Sequence, residues 1–223
     1  MFDSVAPSYD RLNHIMSLGV DRTWRKKAVA EIVDGTPQKI LDVACGTGDS
    51  TIAIAKAAAE GSRVTGADIS EGMMALVGEK AEKAGVRDRI DLKVADGEAL
   101  PFPEWTFNRV TCAFGIRNFE NKEAGLREFR RVLAPKGKVV ILELSVPQNR
   151  VMRWLYDIYF MHIMPFVGGL ISGNKAAYKY LPMSVHNFPA PDDFCRMMRE
   201  AGFWEVKHNA FSFGLCRMYT GIK

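Results

Sequence analysis

Much of what this sequence lacks is informative. Its four cysteines, Cys45, Cys112, Cys195 and Cys216, form no CxxC pair, so no zinc site is indicated. Free thiols in a reducing cytoplasm are the simplest reading. No uncharged apolar run is long enough to span a bilayer: the greasiest stretch, 151–171, is broken by Arg153, Asp157, His162 and Pro165. The opening Phe2-Asp3-Ser4 leads into no signal-peptide core. Internal repeats and low-complexity linkers are missing. Charge of one sign does not dominate either: 30 basic against 26 acidic residues leave a net +4. That is too mild to argue for nucleic acid, yet compatible with an anionic membrane surface.

What is present suits a globular α/β protein. Across 223 residues, 48% are hydrophobic and 25% charged, which excludes a mostly disordered chain and allows one large domain or two small ones. From residue 39 onward, short apolar runs alternate with helical patterns. Strands are expected at 39–44, 63–68, 90–95, 109–114 and 139–144. Helices are expected from the Gly-rich turn to about residue 60, at 71–84, and at 122–133, where Pro135 and Gly137 stop the last. The run VVILEL is continuous, as in a strand covered on both faces. This series predicts a doubly wound, parallel sheet. Two helices, 5–16 and 21–33, precede it. After residue 147 the chain turns aromatic, Met-rich and helical, and then closes with a helix at 191–202 and strands at 204–209 and 215–222. We read one domain: a cap (1–36), a nucleotide-binding core (37–146), an insertion (147–187) and a closing unit (188–223).

The chemistry concentrates at strand ends. The first strand runs into Asp42-Val43-Ala44-Cys45-Gly46-Thr47-Gly48, where Gly46 and Gly48 let backbone approach a ligand. The second strand ends at Asp68, placed to accept hydrogen bonds from both ribose hydroxyls of an adenosine. A GxG between strand and helix with an acid closing the next strand is far more specific than the glycines alone; the plain alternative is a tight turn and a solvated aspartate. A dinucleotide fingerprint wants a third glycine or alanine where Thr51 stands, which disfavours NAD. Asp96, after the third strand, suits an adenine amino group, with Gly97 offering backbone. S-adenosylmethionine, which has no pyrophosphate, fits this pattern better.

The segments LDVACGTGD, GADISEGM, ADGEALPF, FGIRNF and RVLAPKGKVVILELS resemble the UbiE/MenG family of quinone-biosynthesis C-methyltransferases. The opening FDSVAPSYDRLNHIMSLGVDRTWR and the aromatic insertion resemble it too, so the likeness covers nearly the whole chain. It implies a Rossmann-like, class I methyltransferase sheet of seven strands with an N-terminal helical cap and a late helical insertion. It implies S-adenosylmethionine as cofactor, with contacts falling on Thr47, Asp68, Asp96 and Gly97. Ala113 matches a position that is serine in some members, so only its backbone is offered. Gly46 and Gly48 are expected to act through backbone, and Asp42 to face the cofactor's ammonium directly or through water. No metal is expected.

The implied acceptor is a prenylated quinol, demethylmenaquinol, or the benzoquinol precursor of ubiquinone. Its ring carbon becomes nucleophilic once an adjacent hydroxyl ionises, so the enzyme must align, deprotonate and exclude water. Candidates for polar assistance are Arg117, Tyr9, Asn13, Asn118 and His162, each with an alternative as a surface or packing residue. Tyr178 and Tyr180 are candidates for the head-group pocket. The aromatic stretch 151–171 suits an isoprenoid tail or, equally, a core layer or a dimer contact. The basic group Arg22, Arg25, Lys26 and Lys27 reads as a solvated helix face or a contact with anionic lipid. A cytoplasmic protein that visits the inner face of the membrane follows. The rivals are a class I methyltransferase for another lipid-like molecule, an NAD-dependent oxidoreductase, and a non-catalytic scaffold. Nucleic-acid methylation is disfavoured because the Asn/Asp-Pro-Pro-aromatic motif is absent.

Overall fold

The computed structural model describes Ser17 and residues 19–159 and 175–223, with side chains from 181 onward in the last segment. Seven strands form one sheet in the order β3-β2-β1-β4-β5-β7-β6. They are β1 (Lys39–Val43), β2 (Arg63–Asp68), β3 (Ile90–Val94), β4 (Phe107–Ala113), β5 (Leu133–Leu144), β6 (Trp204–Phe211) and β7 (Cys216–Ile222). Strands β1 to β5 are parallel, whereas β7 runs antiparallel between β5 and β6. The described helices are α1 (Asp21–Ile32), α2 (Asp49–Ala57), α3 (Glu71–Lys83), α4 (Lys122–Val132), α5 (Arg150–Ile158), α6 (Lys175–His186) and α7 (Pro191–Glu200).

Alternation along the central strands sorts the core into two layers. Val139 and Ile141 of β5 join Leu126, Phe129, Phe194 and Met198 from α4 and α7. Val140 and Leu142 face the other way, onto Trp24, Ala28 and Ile32 of α1 and Ile54 and Ala55 of α2. The uninterrupted apolar run of β5 is what a strand covered on both faces requires. Local chemistry sets several helix starts. Ser70 Oγ accepts from Met73 N (3.2 Å) ahead of α3, Asn121 Oδ1 from Ala124 N (2.9 Å) ahead of α4, and Asn149 Oδ1 from Val151 N (3.0 Å) ahead of α5. Pro191 opens α7, where its missing N–H costs nothing.

Two expectations shift in detail. Strand β5 begins at Leu133, not at 139, because the chain bulges rather than breaks at Pro135 and Gly137. The register jumps from Phe107↔Leu133 to Arg109↔Lys138. A Cβ on Gly137 would lie 2.7 Å from the Ala134 carbonyl oxygen, so only glycine closes the bulge. Strand β6 extends to Phe211, and the link to β7 holds Ser212 and Phe213 at positive φ (47° and 58°), leaving the Phe213 ring 80% exposed. Trp24 Nε1 donates to Ser212 Oγ (3.0 Å), tying α1 to this link.

Phe129 is fully buried and meets the Phe119 ring edge-on at 6.0 Å. Phe129→Ala is expected to lower the unfolding free energy by about 3–5 kcal/mol, read from urea denaturation, through lost burial and the cavity it leaves.

Candidate active site

Strand order reverses direction between β1 and β4, the place where open α/β sheets open a crevice at their carboxyl ends. A cavity of about 350 Å³ lies there, ample for a nucleoside. Its walls come from the loops after β1, β2, β3 and β4, with Arg25 of α1 reaching in from the cap side.

The loop after β1 is sterically determined. Gly48 sits at φ 84° just ahead of α2, and a Cβ there would lie 2.6 Å from Val77 Cγ1. Gly46 also has positive φ, 55°, and its N–H donates to Asp68 Oδ2 at 2.7 Å. Ser70 N donates to Asp68 Oδ1 at 2.9 Å. Two backbone donors therefore fix the Asp68 carboxylate at the cavity wall, and its remaining lone pairs are available to ligand hydroxyls. Thr47 lines the cavity beside Lys80, whose ammonium lies 3.3 Å from Thr47 Oγ1 and 2.5 Å from Asp49 Oδ1.

The third-strand acid also lies where the sequence predicts. Asp96 Oδ1 accepts from Glu98 N (2.9 Å), and Glu98 in turn accepts from Glu120 N (2.7 Å) and Asn121 N (3.0 Å). Gly97 is needed because a Cβ would come within 2.4 Å of Phe119 Cζ and 2.9 Å of Val43 Cγ1. Ala113 and Asn118 line the wall from the β4 side. Two non-glycine residues there adopt left-handed backbone, Ala44 (φ 54°) and Phe114 (φ 62°). Such strain collects where surrounding structure fixes a functional loop.

Asp42 is set differently from the wall residues. It is 1% exposed, behind the glycine loop, and Thr51 Oγ1 donates to its Oδ2 at 2.6 Å. Its Oδ1 has no hydrogen-bond partner among the described residues. Burial pushes this carboxyl up to about 6, against the lowering effects of the Thr51 bond and the Arg25 charge. Thr51, which sets the chain apart from a dinucleotide fingerprint, therefore serves to hold Asp42.

Arg117 does not line the cavity. Its side chain is 7% exposed and its Nη1 donates to Glu143 Oε1 at 2.7 Å and to the Phe114 carbonyl, while its backbone N donates to Glu143 Oε2 at 3.1 Å. Glu143 is fully buried. The guanidinium anchors the 114–118 segment, which contributes Phe114, Gly115 and Asn118 to the cavity. The sequence motifs pass over Glu143; a lone acid inside VVILEL is the signal that finds it, since a charge in a doubly covered strand needs a buried partner. Arg25 departs from the solvated-face reading. It is half-buried, Nη1 donates to Ser50 Oγ, and its guanidinium carbon stands 4.9 Å from the centre of the Phe114 ring. Its spacing from Asp21 and Trp24 on the buried side of α1 carried that signal.

Tyr9, Asn13 and His162 lie outside the described residues, as do the side chains of Tyr178 and Tyr180. Of the aromatic insertion, Tyr156 is buried against Leu181 and Val185, whereas Val151, Trp154 and Leu155 are exposed.

The backbone of Gly46 and Gly97 and the fixed Asp68 carboxylate give the cavity wall a shape and hydrogen-bonding capacity that suit a nucleoside. With the sheet order, they define a class I methyltransferase. A solved SAM-dependent methyltransferase from Aquifex aeolicus has the same fold (TM-score 0.63, 17% identity, covering 89% of this chain and 88% of that one). More particularly, the chain belongs to the ubiE/COQ5 methyltransferase family, whose profile matches residues 1–223. It is 45% identical to the demethylmenaquinone methyltransferase of Thermus thermophilus, over 99% of each chain. It is 44% identical to the ubiquinone/menaquinone biosynthesis C-methyltransferase UbiE of Geobacter sulfurreducens, over 100% of this chain and 87% of that one. The protein is thus an enzyme, a methyltransferase.

Two outcomes follow from the buried charges. Arg117→Ala leaves Glu143 buried without this partner and is expected to cost about 3–5 kcal/mol in urea denaturation, with much of it recovered in the double variant Arg117→Met/Glu143→Gln. For Asp42, the folded carboxyl holds its proton more tightly than the unfolded one, ordinarily at 3.8. Its contribution to stability is therefore present at low pH and lost as pH rises from about 4 through about 6. Asp42→Asn keeps an oxygen for Thr51. It is expected to raise stability at neutral pH by roughly 1–3 kcal/mol and to flatten that part of the pH profile, measured by denaturation across the range.

Proposed function

We propose that this methyltransferase transfers a methyl group from S-adenosylmethionine to a ring carbon of demethylmenaquinol, yielding menaquinol. The observation that carries this reading is end-to-end similarity, at 45% identity over 99% of both chains, to an enzyme named for that substrate. The name of the Geobacter relative includes ubiquinone, which favours the benzoquinol precursor as a second acceptor.

S-adenosylmethionine, when bound, supplies an electrophilic methyl carbon on a sulfonium. This chain's residues do the holding and shielding. Asp68 accepts from the ribose hydroxyls. Asp96 accepts from the adenine amino group, beside the backbone of Gly97. Asp42 balances the ammonium of the amino-acid end, and Gly46, Thr47, Gly48 and Ala113 shape the surrounding wall. Alignment of the two reactants can account for ~7–11 kcal/mol of barrier reduction in well-oriented systems. Because Arg117 is neutralised by Glu143, its part is to position the segment through Asn118 rather than to act as a free cation. Tyr9, Asn13 and His162 remain candidates for contact with the quinol.

The acceptor must be the quinol, since only an ionised hydroxyl places negative charge on the neighbouring ring carbon. Such a prenylated acceptor resides in the membrane, and we place the enzyme in the cytoplasm with visits to the inner membrane face. The exposed Val151, Trp154 and Leu155, beside the exposed Arg150 and Arg153 of α5, support an interfacial contact. Among the described residues no helix is long and apolar enough to cross a membrane.

With labelled methyl donor, incorporation is expected into chemically reduced demethylmenaquinone and not into the oxidised quinone; absence of turnover with the quinol would reject the assignment. Asp68→Ala is expected to raise KM for the donor roughly 10- to 100-fold, read by initial rates, as for the loss of charge-assisted hydrogen bonds.

A further inference from the structure

The charges around the cavity are sharply unequal. Asp49, Asp68, Asp96, Glu98 and Glu120 all contribute to its wall, whereas Arg25 is the one cation among the described lining residues. An anionic group entering this space is favoured beside that guanidinium, since the other nearby cation, the Lys80 ammonium behind Thr47, is already paired with Asp49 at 2.5 Å.

Position strengthens the point. Asp96 and Gly97 follow β3, at the outer edge of the parallel strands, while Phe114 follows β4, with β2 and β1 between them. Arg25 stands over the Phe114 ring and donates to Ser50 in the first turn of α2, at the end remote from Asp96. Its Nε is buried without a hydrogen bond among the described residues, Asp21 Oδ2 lying 3.8 Å away. Behind the same loop, Asp42 presents a buried oxygen that also lacks a described partner. Arg25 thus offers the cavity a cation at this end, complementary to the carboxylate of an α-amino acid, while Asp42 lies buried behind the wall.

We propose that Arg25 binds the α-carboxylate of the cofactor's amino-acid end, so that the cap helix itself completes the cofactor site and sets the direction in which the nucleoside lies. This rests on the reading of the cavity as the S-adenosylmethionine site. Helix α1 then senses whether the ligand carries an amino-acid tail.

The test is calorimetric, on the whole chain, with S-adenosylhomocysteine and its decarboxylated counterpart, S-adenosyl-3-thiopropylamine. Wild type is expected to prefer the carboxylated ligand by about 10- to 100-fold. Arg25→Gln is expected to bring that preference below about 3-fold, mainly by weakening S-adenosylhomocysteine, and Arg25→Lys to restore part of it. Equal wild-type affinity for the two ligands would overturn the proposal without reference to any variant. So would Arg25→Gln weakening both ligands by one common factor. If wild type binds neither ligand while folded, the cofactor reading falls and this inference with it; if it binds both and shows no preference, only the inference falls.

Discussion

The site depends on a steric constraint where the chains leave β1 and β4. A Cβ on Gly115 would lie 2.4 Å from that of Ala44, so these two turns pass one another with no room for a side chain. Each turn carries a residue in the left-handed region, Ala44 and Phe114. The strain is held by the sheet: Cys45 N donates to the Ala67 carbonyl (3.1 Å) and Phe114 N to the Leu142 carbonyl (2.7 Å). A rigid sheet edge thereby fixes loops that would otherwise relax, and the crevice between them has a defined shape before any ligand arrives.

Around that crevice, charge is handled in two ways. On the wall, carboxylates are oriented by backbone N–H groups, as at Asp68 and Asp96, and keep capacity for a ligand. Behind the wall, charge is buried and spent on structure. The Arg117–Glu143 pair staples the 114–118 segment to β5, and Thr51 holds Asp42 beneath the glycine loop. The first arrangement leaves hydrogen-bonding capacity at the cavity, and the second holds the wall in place.

Much of this was legible in the sequence because it is local. The ends of β1, β2 and β3, the glycine loop, Asp68 and Asp96 all follow from strand-to-turn transitions written within a few residues of one another, and they meet at one cavity. The bulge of β5 was not legible, since Pro135 and Gly137 read as terminators until a neighbouring strand gives them a register. Partnerships across the chain were also hidden. Glu143 and Arg117 are far apart in sequence, and nothing local says that one neutralises the other. In sequence Arg25 groups with its basic neighbours, although Asp21 and Trp24 mark the side of α1 that turns inward. Tyr9, Asn13 and His162 lie outside the described residues, so their expected contact with the acceptor stays a matter of sequence.

The placement of β7 bears on how such a chain is made. It is synthesised after β6 yet lies between β6 and β5, and Lys223 closes it by exchanging backbone hydrogen bonds with Lys136 and Gly137. As the nascent chain leaves the ribosome, β5 therefore spends the whole synthesis of 145–215 as an open, strongly apolar edge, and β6 emerges with no neighbour to pair with. Open edges of this kind recruit other chains. The order of synthesis thus leaves the longest strand of the sheet half-paired until the last few residues of the chain are made.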